Sequence, residues 1–363
     1  MRRAHSRLVE TMPMNDKLRP ALGSLAAALL LAGCAALPPY QPPAAPPVAG
    51  FTSGTAVAAT ASADVPHGHA QQVVVGAVEA QWWRTLGSPM LDALVDEAFR
   101  ASPTLAAAVA VLSQARELHA AQAGSTQWPQ VDLGLGAQRQ QISPSAQGLS
   151  GDTREFGLYN ASVSVRYRFD FGGGTDSSLR ALAARAEIRQ HELQAARHAL
   201  AANLATTAIT RARLAAQIDA QSAILRTQEE LIRLAQVRTR LGQAAPDEVS
   251  ALTTQAELTR SGLPPLHKSL QQTEHLLAVL AGRAPAQGVP AFTLADFTLP
   301  DQLPVTVPSE WARQRPDIQA AEAGLRAAHA EPGVAYARQY PRLDLGASLG
   351  SQALTTTALF GGS

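Results

Sequence analysis

The chain has one cysteine, two lysines and almost no net charge, and each scarcity removes a class of protein. Of its 363 residues only Cys34 carries a thiol, so no disulfide within the chain staples the fold. The formal net charge is +1, Lys17 and Lys268 are the only lysines, and the arginines are interspersed with Asp and Glu. Proteins that hold nucleic acid meet its phosphates with clustered cations, so no nucleic-acid partner is expected. Catalytic signatures are also missing. His191-Glu192 begins like a zinc-protease motif, but Ala195 occupies the place of its second His, and His198 comes three residues later. Gly172-Gly173-Gly174 lacks the Lys-Ser/Thr ending of a phosphate loop, and His67-Gly68-His69 has no third ligand in view. We expect no enzyme activity, no catalytic residues, no metal and no cofactor.

What is present begins with a leader. Lys17 and Arg19 precede an apolar run at 25–31 that is too short to cross a bilayer, and Leu31-Ala32-Gly33-Cys34 follows. This pattern resembles a bacterial lipoprotein signal: residues 1–33 are the signal peptide and Cys34 is the lipidation site. More than one acyl chain is needed for stable anchoring. Ala35, where an Asp would retain the protein at the inner membrane, favours the outer membrane by the same resemblance. The leader is long before Lys17, which makes Met14 an alternative start to Met1. Residues 34–80 read as a tether, opening on "ALPPYQPPAAPPVAG", whose prolines favour extended backbone.

Two periods organise the rest. Leu91, Leu94, Val95 and Ala98 recur at helical spacing behind Ser88-Pro89, and a second helix begins at Ser102-Pro103 and stops before Trp128-Pro129. Then Val131, Leu133, Leu135 and Ala137 alternate with Asp132, Gly134, Gly136 and Gln138, a strand at about 130–141 with one apolar and one polar face. Val163, Val165, Tyr167, Phe169 and Phe171 alternate with serines, arginines and Asp170, a second strand at about 156–171. Each has about the ten residues a tilted strand needs to cross a bilayer, and the other face suits a water-filled lumen.

Residues 175–241 contain no proline and no glycine, enough for about 100 Å of helix. Leu193, Leu200 and Leu214 lie on one seven-residue series, and Ile218, Leu225 and Ile232 on another displaced by four, a coiled-coil stutter. After "LGQAAPDEV" a returning helix keeps a single heptad frame through Val249, Leu252, Ala256, Leu263, Leu266, Leu270, Leu277 and Leu280, with Thr259 and Thr273 at its weak positions. The span 175–281 is therefore an antiparallel helical hairpin, and Pro264-Pro265 is expected to kink it. Residues 283–308 form a proline-rich connector. Another Ala-rich helix opens at Arg315-Pro316, is expected to kink at Pro332, and stops at Tyr340-Pro341 before an alternating strand. "WPQVDLGLG" and "YPRLDLGAS" thus mark one unit written twice: helix, proline stop, membrane-type strand.

The chain resembles the TolC-like outer membrane efflux proteins, in particular the NodT-type lipoproteins of resistance-nodulation-division (RND) pumps. The stretches that carry this are the lipobox at Cys34, "WWRTLGSPMLDALVDEAFRASPTL", "WPQVDLGLG", the segment from "LGQAAPDEV" to "LAGRAP", and "VPSEWARQRPDIQAAEAGLRAA". The resemblance implies a mainly α fold with membrane β-strands. A long antiparallel coiled-coil hairpin would join strands that enter one trimeric outer membrane β-barrel, four per protomer. Residues 81–282 form the first repeat and 309–363 the start of the second, which ends after one strand, so the sequence reads as C-terminally truncated. By the same resemblance the turn at Gly242, Gln243, Ala244, Ala245, Asp247 and Val249 is the tip that docks a periplasmic adaptor. Family members often carry a hydroxyl where this chain has Pro246.

The implied function is the outer membrane channel of a tripartite RND-type efflux system, a passive exit duct for drugs or other small solutes. Its partners are two further copies, a periplasmic adaptor, an inner membrane transporter and outer membrane lipids. It is placed in a Gram-negative outer membrane, lipid-anchored and extending into the periplasm. The rival readings are a periplasmic adaptor or structural coiled-coil lipoprotein, and a non-functional truncated remnant. Adaptors flank their hairpins with soluble β domains, whereas here alternating strands directly follow proline-stopped helices. Cys34→Ser is expected to abolish incorporation of labelled palmitate, and undiminished labelling of that variant would refute the assignment.

Overall fold

The computed structural model describes residues 39–44, 57–64, 68–76, 79–148, 150–305 and 313–361. The signal peptide, Cys34 and much of the tether lie outside the described residues. The elements are β1 (Gln72–Val75), α1 (Pro89–Ala101), α2 (Pro103–Thr126), β2 (Gln130–Ile142), β3 (Arg154–Phe169), α3 (Gly174–Arg240), α4 (Pro246–Ser261), α5 (Leu263–Leu280), β4 (Gln302–Val305), α6 (Pro316–Ala337), β5 (Leu343–Ala353) and α7 (Thr356–Phe360). They fall into two units.

Among the described residues, one unit comprises 39–42, Glu117–Ala184 (149 excepted) and 325–361. Its centre is an antiparallel sheet in the order β2-β3-β5, so the strand of the second repeat pairs with the hairpin of the first. The hairpin is connected through residues 143–153, which include a short 3-10 turn at Pro144–Gln147. β3 ends at Phe169, two residues before the alternation runs out. Gly172-Gly173-Gly174 then turns the chain into α3: Gly173 has φ 67°, and a Cβ at Gly174 would stand 2.6 Å from the Ala337 side chain. Backbone this close to α6 admits only glycine. The α3 amino end is capped by Asp170, whose Oδ2 accepts the Asp176 N–H at 3.0 Å. After β5 the short α7, which the sequence pattern did not announce, rests on β3 and β5 with Leu359 buried.

The second unit comprises the described residues within Pro43–Arg116 and Arg185–Gly324. Ser88 caps α1 by accepting the Leu91 N–H, and Leu91, Leu94, Val95 and Ala98 are all buried, as their spacing predicts. They pack with Trp83, Phe292, Leu277 and a stripe of α3: Ala201, Leu204, Ala205, Ala208 and Ala212. The α3 seam therefore differs from the leucine series. Leu193, Leu214 and Ile218 are buried, but Leu200, Leu225 and Ile232 are only half-buried, and alanines carry the closest packing. Small side chains let helix backbones approach, a preference that a search for large apolar residues does not detect. On the returning arm all ten heptad positions from Val249 to Leu280 are buried or half-buried.

Polar clasps surround this core. Arg283 donates from Nε and Nη2 to the two carboxylate oxygens of Glu97, both at 2.6 Å. Arg211 bonds Glu274 at 2.9 Å and the Phe292 carbonyl at 2.8 Å, fixing the connector to the hairpin.

Two expectations need correction. At Pro264-Pro265 the arm is interrupted rather than one kinked helix: helix ends at Ser261 and restarts at Leu263, with Gly262 between them and the prolines in the first turn of α5. Missing N–H groups cost nothing there, and at the break the Thr259 carbonyl accepts both the Gly262 N–H and Gln221 Nε2, each at 3.2 Å. Pro332 stands inside α6, as expected, and the helix runs on past it to Ala337. The tether and the connector each contribute a strand, β1 and β4, paired in parallel from Gln72↔Gln302 to Val75↔Val305. Four-residue strands whose partner lies over two hundred residues away leave no local period to read.

The Glu97–Arg283 clasp predicts an acid dependence. Hydrogen bonds from Arg283 hold Glu97 below its ordinary value near 4.5, against the opposing effect of burial. A carboxylate depressed in the folded state stabilises above its unfolded pKa, and that contribution disappears as pH falls through the folded one. Denaturant titrations in detergent from about pH 6 to about pH 3 should show wild type and Glu97→Gln converging in stability below about pH 4.5. A constant difference across that range would contradict the assignment.

Candidate functional site: a two-faced sheet and a hairpin turn

The sheet register assembles side chains from three strands into rows. On one face stand Val131, Val165 and Ala347, then Leu133, Val163 and Leu349, with Tyr167 beside Leu345 and Phe169 beside Leu343 below them. On the other stand Gln130, Arg166 and Gly346, then Asp132, Ser164 and Ser348, then Gly134, Ser162 and Gly350. The glycines of that last row are sterically required at one point, since a Cβ at Gly350 would meet the Ala161 carbonyl at 2.9 Å.

Much of the apolar face is uncovered among the described residues. Leu133 is 71% exposed and Leu349 84%, in rows that a water-soluble protein would bury. The face has a definite height. From Phe169 to Tyr159 is ten residue steps, about 34 Å along the strand and about 26 Å when tilted by about 40°, close to the apolar band of an outer membrane barrel. Aromatic residues close both ends: Tyr159 at one, Tyr167, Phe169 and Phe171 at the other, with rings of the last three in successive contact. Beyond Ala137 the same face turns to Arg139, bonded to Glu155 at 2.9 Å. The outer edges of β2 and β5 are unpaired among the described residues. In hydrocarbon such edges require another strand.

The hairpin turn belongs to the other unit. Gln243 N–H bonds the Arg238 carbonyl at 2.8 Å and Gly242 N–H the Thr239 carbonyl at 3.0 Å, with Gly242 at φ 72°. This is the Schellman arrangement, in which a left-handed glycine ends the helix. Ala244 and Ala245 lead into Pro246 at the first position of α4; Ala245 offers no side-chain cap, so proline takes over the start that a hydroxyl would otherwise stabilise. Asp247 and Glu248 lie in that first turn, where negative charge suits the helix dipole. Val249 begins the packed seam, while Leu241 is 67% exposed and Gln243 and Asp247 are exposed. All six residues singled out in the sequence are thus together in one turn. A clasp across it was missed: Arg238 Nη1 bonds Glu248 Oε1 at 3.1 Å. Ten residues of separation across a turn are visible only once the turn geometry is known.

The chain was compared with known proteins. A family profile described as outer membrane efflux protein matches residues 94–283 and 307–363. The chain is similar to the pyoverdine export outer membrane protein OpmQ of Pseudomonas putida, at 33% identity over 342 residues, covering 92% of this chain and 68% of the relative. It is 32% identical to OpmQ of Pseudomonas aeruginosa over 283 residues, spanning 75% of this chain and 58% of that one. Among solved structures, the outer-membrane channel OprN superposes with a TM-score of 0.71 at 26% identity, covering 90% of this chain and 70% of that channel.

Proposed function

The chain belongs to the outer membrane efflux protein family, and from that premise we propose that it serves as the passive exit duct of a tripartite, RND-type efflux system. Its fold is TolC-like, and the duct role rests most on one observation: a largely uncovered apolar face of bilayer height backed by a polar face. Hydrocarbon on one side and water on the other satisfy both faces at once. Neighbouring copies supply strands for the open edges, which is the physical case for a closed ring of copies; the family resemblance makes that ring a homotrimer.

A wet lumen needs no catalytic machinery. A solute crossing in water keeps its hydration, so it avoids the cost of burying charge, and the driving energy comes from elsewhere in the complex. The inner membrane transporter supplies that energy, and a periplasmic adaptor joins it to the duct at the turn of Gly242, Gln243, Ala244, Ala245, Asp247 and Val249. The exposed Leu241, Gln243 and Asp247 offer one apolar, one neutral polar and one acidic contact there. Acyl chains on Cys34 anchor the mature amino terminus in the outer membrane.

Envelope membranes provide the test. After crosslinking, the chain should require detergent for extraction and migrate as a trimer, and a photoreactive residue at Gln243 should capture a periplasmic adaptor. Recovery solely as a water-soluble monomer would overturn the duct. Extractable trimers with no adaptor captured at Gln243 would overturn the docking assignment alone.

A further inference from the structure

At the base of the sheet lies a hollow of about 430 Å³ where the ends of α2 and α6, the start of α3 and the lower rows of β3 and β5 converge; Arg166, Arg168 and Asp344 reach it from the polar face, and Phe169 and Phe171 also line it. Four guanidinium groups line it, those of Arg166, Arg168, Arg338 and Arg342, against two carboxylates, Asp170 and Asp344. Both carboxylates are engaged. Asp344 Oδ1 accepts from Arg168 Nε at 2.7 Å, and Asp170 Oδ2 accepts the Asp176 N–H at 3.0 Å. No side-chain hydrogen bond or ion pair with another described residue engages Arg166, Arg338 or Arg342, and all three are exposed. Only Asp344 is paired with a guanidinium, and the Asp170 charge is held by a backbone N–H, so four cations face two carboxylates and the hollow is net positive by two.

Such a grouping costs self-repulsion unless an anion visits it. Guanidinium is the cation best matched to oxyanions, since its planar fork presents parallel donors to a carboxylate or phosphate. We propose that this hollow is a low-affinity way station for oxyanion groups on exported solutes, so that the duct favours solutes bearing carboxylates or phosphates. The inference rests on the duct reading for its meaning, because that reading turns the polar face toward the lumen. Threefold repetition would arrange the hollows as a cationic ring just below the barrel. Exposure in water keeps each contact weak, and weak contacts release what they attract, as conduction requires. A lipid headgroup is the other source of the same chemistry. The side of the sheet that carries Arg166 and Arg168 faces away from hydrocarbon, which favours a soluble anion.

The experiment is direct binding, which does not depend on transport. The full chain in neutral detergent is titrated with citrate by calorimetry at low ionic strength, alongside the variant Arg166→Gln, Arg338→Gln, Arg342→Gln. The wild type should bind citrate, inorganic phosphate should compete, and the triple variant should bind about tenfold or more weakly, the scale of losing charge-assisted hydrogen bonds. A variant with lysine at the same three positions should retain most of the binding, which separates loss of charge from loss of fold. Equal citrate affinity in wild type and triple-Gln variant, or no binding by wild type, would overturn the proposal. Displacement of citrate by short-chain phosphatidylglycerol but not by inorganic phosphate would assign the site to lipid and overturn it too. A chain that binds citrate through these arginines but conducts no ions in a planar bilayer would sink the duct reading and leave the oxyanion site standing.

Discussion

A strand in hydrocarbon has no water to bond, so every N–H and C=O it carries must find another strand. That constraint shapes the β2-β3-β5 sheet more than any single contact within it. It explains why the β2–β3 hairpin and β5 join in one sheet although β5 begins 174 residues beyond the end of β3 (343 less Phe169's 169). It explains why the apolar rows stop at Arg139 and Glu155, where charge can reach water. It also leaves two edges that only further strands can satisfy.

The helical unit obeys a different requirement. Long antiparallel helices must stay parallel over many turns, and close approach along the Ala201–Ala212 stripe sets their spacing while Leu204, Leu277 and Phe292 fill the gaps. Paired charges then fix register at intervals: Arg211 with Glu274, Arg260 with Glu229, and Arg238 with Glu248 nearest the turn. The exposed ones contribute little stability each, but they select one sliding position of the arms over others.

Much of this was legible in the sequence because two solvents leave two periods. Alternation from Val131 to Ala137 and from Leu343 to Leu349 marks a surface with hydrocarbon on one side, and the ten-position frame from Val249 to Leu280 marks a seam. The turn residues were legible because Gly and Pro carry backbone meaning by themselves. Other features escaped for identifiable reasons. Alanine packing hides among alanines that are exposed. The β1–β4 pairing is too short and too distant to leave a pattern, and the Gly262 break was masked by the prolines that follow it. The cationic hollow gathers Arg166, Arg168, Arg338 and Arg342 from two distant stretches of chain, so only the folded register brings them together.

The central claim is that one face of the sheet touches lipid and the other touches water. Single cysteines at Val163, Leu345, Ser164 and Ser348, placed in membrane-embedded protein and challenged with a bilayer-restricted reagent and a water-soluble maleimide, test it directly. Residues Val163 and Leu345 should react with the former alone, and Ser164 and Ser348 with the latter alone. Aqueous labelling of all four positions, or the opposite pattern, would contradict the account.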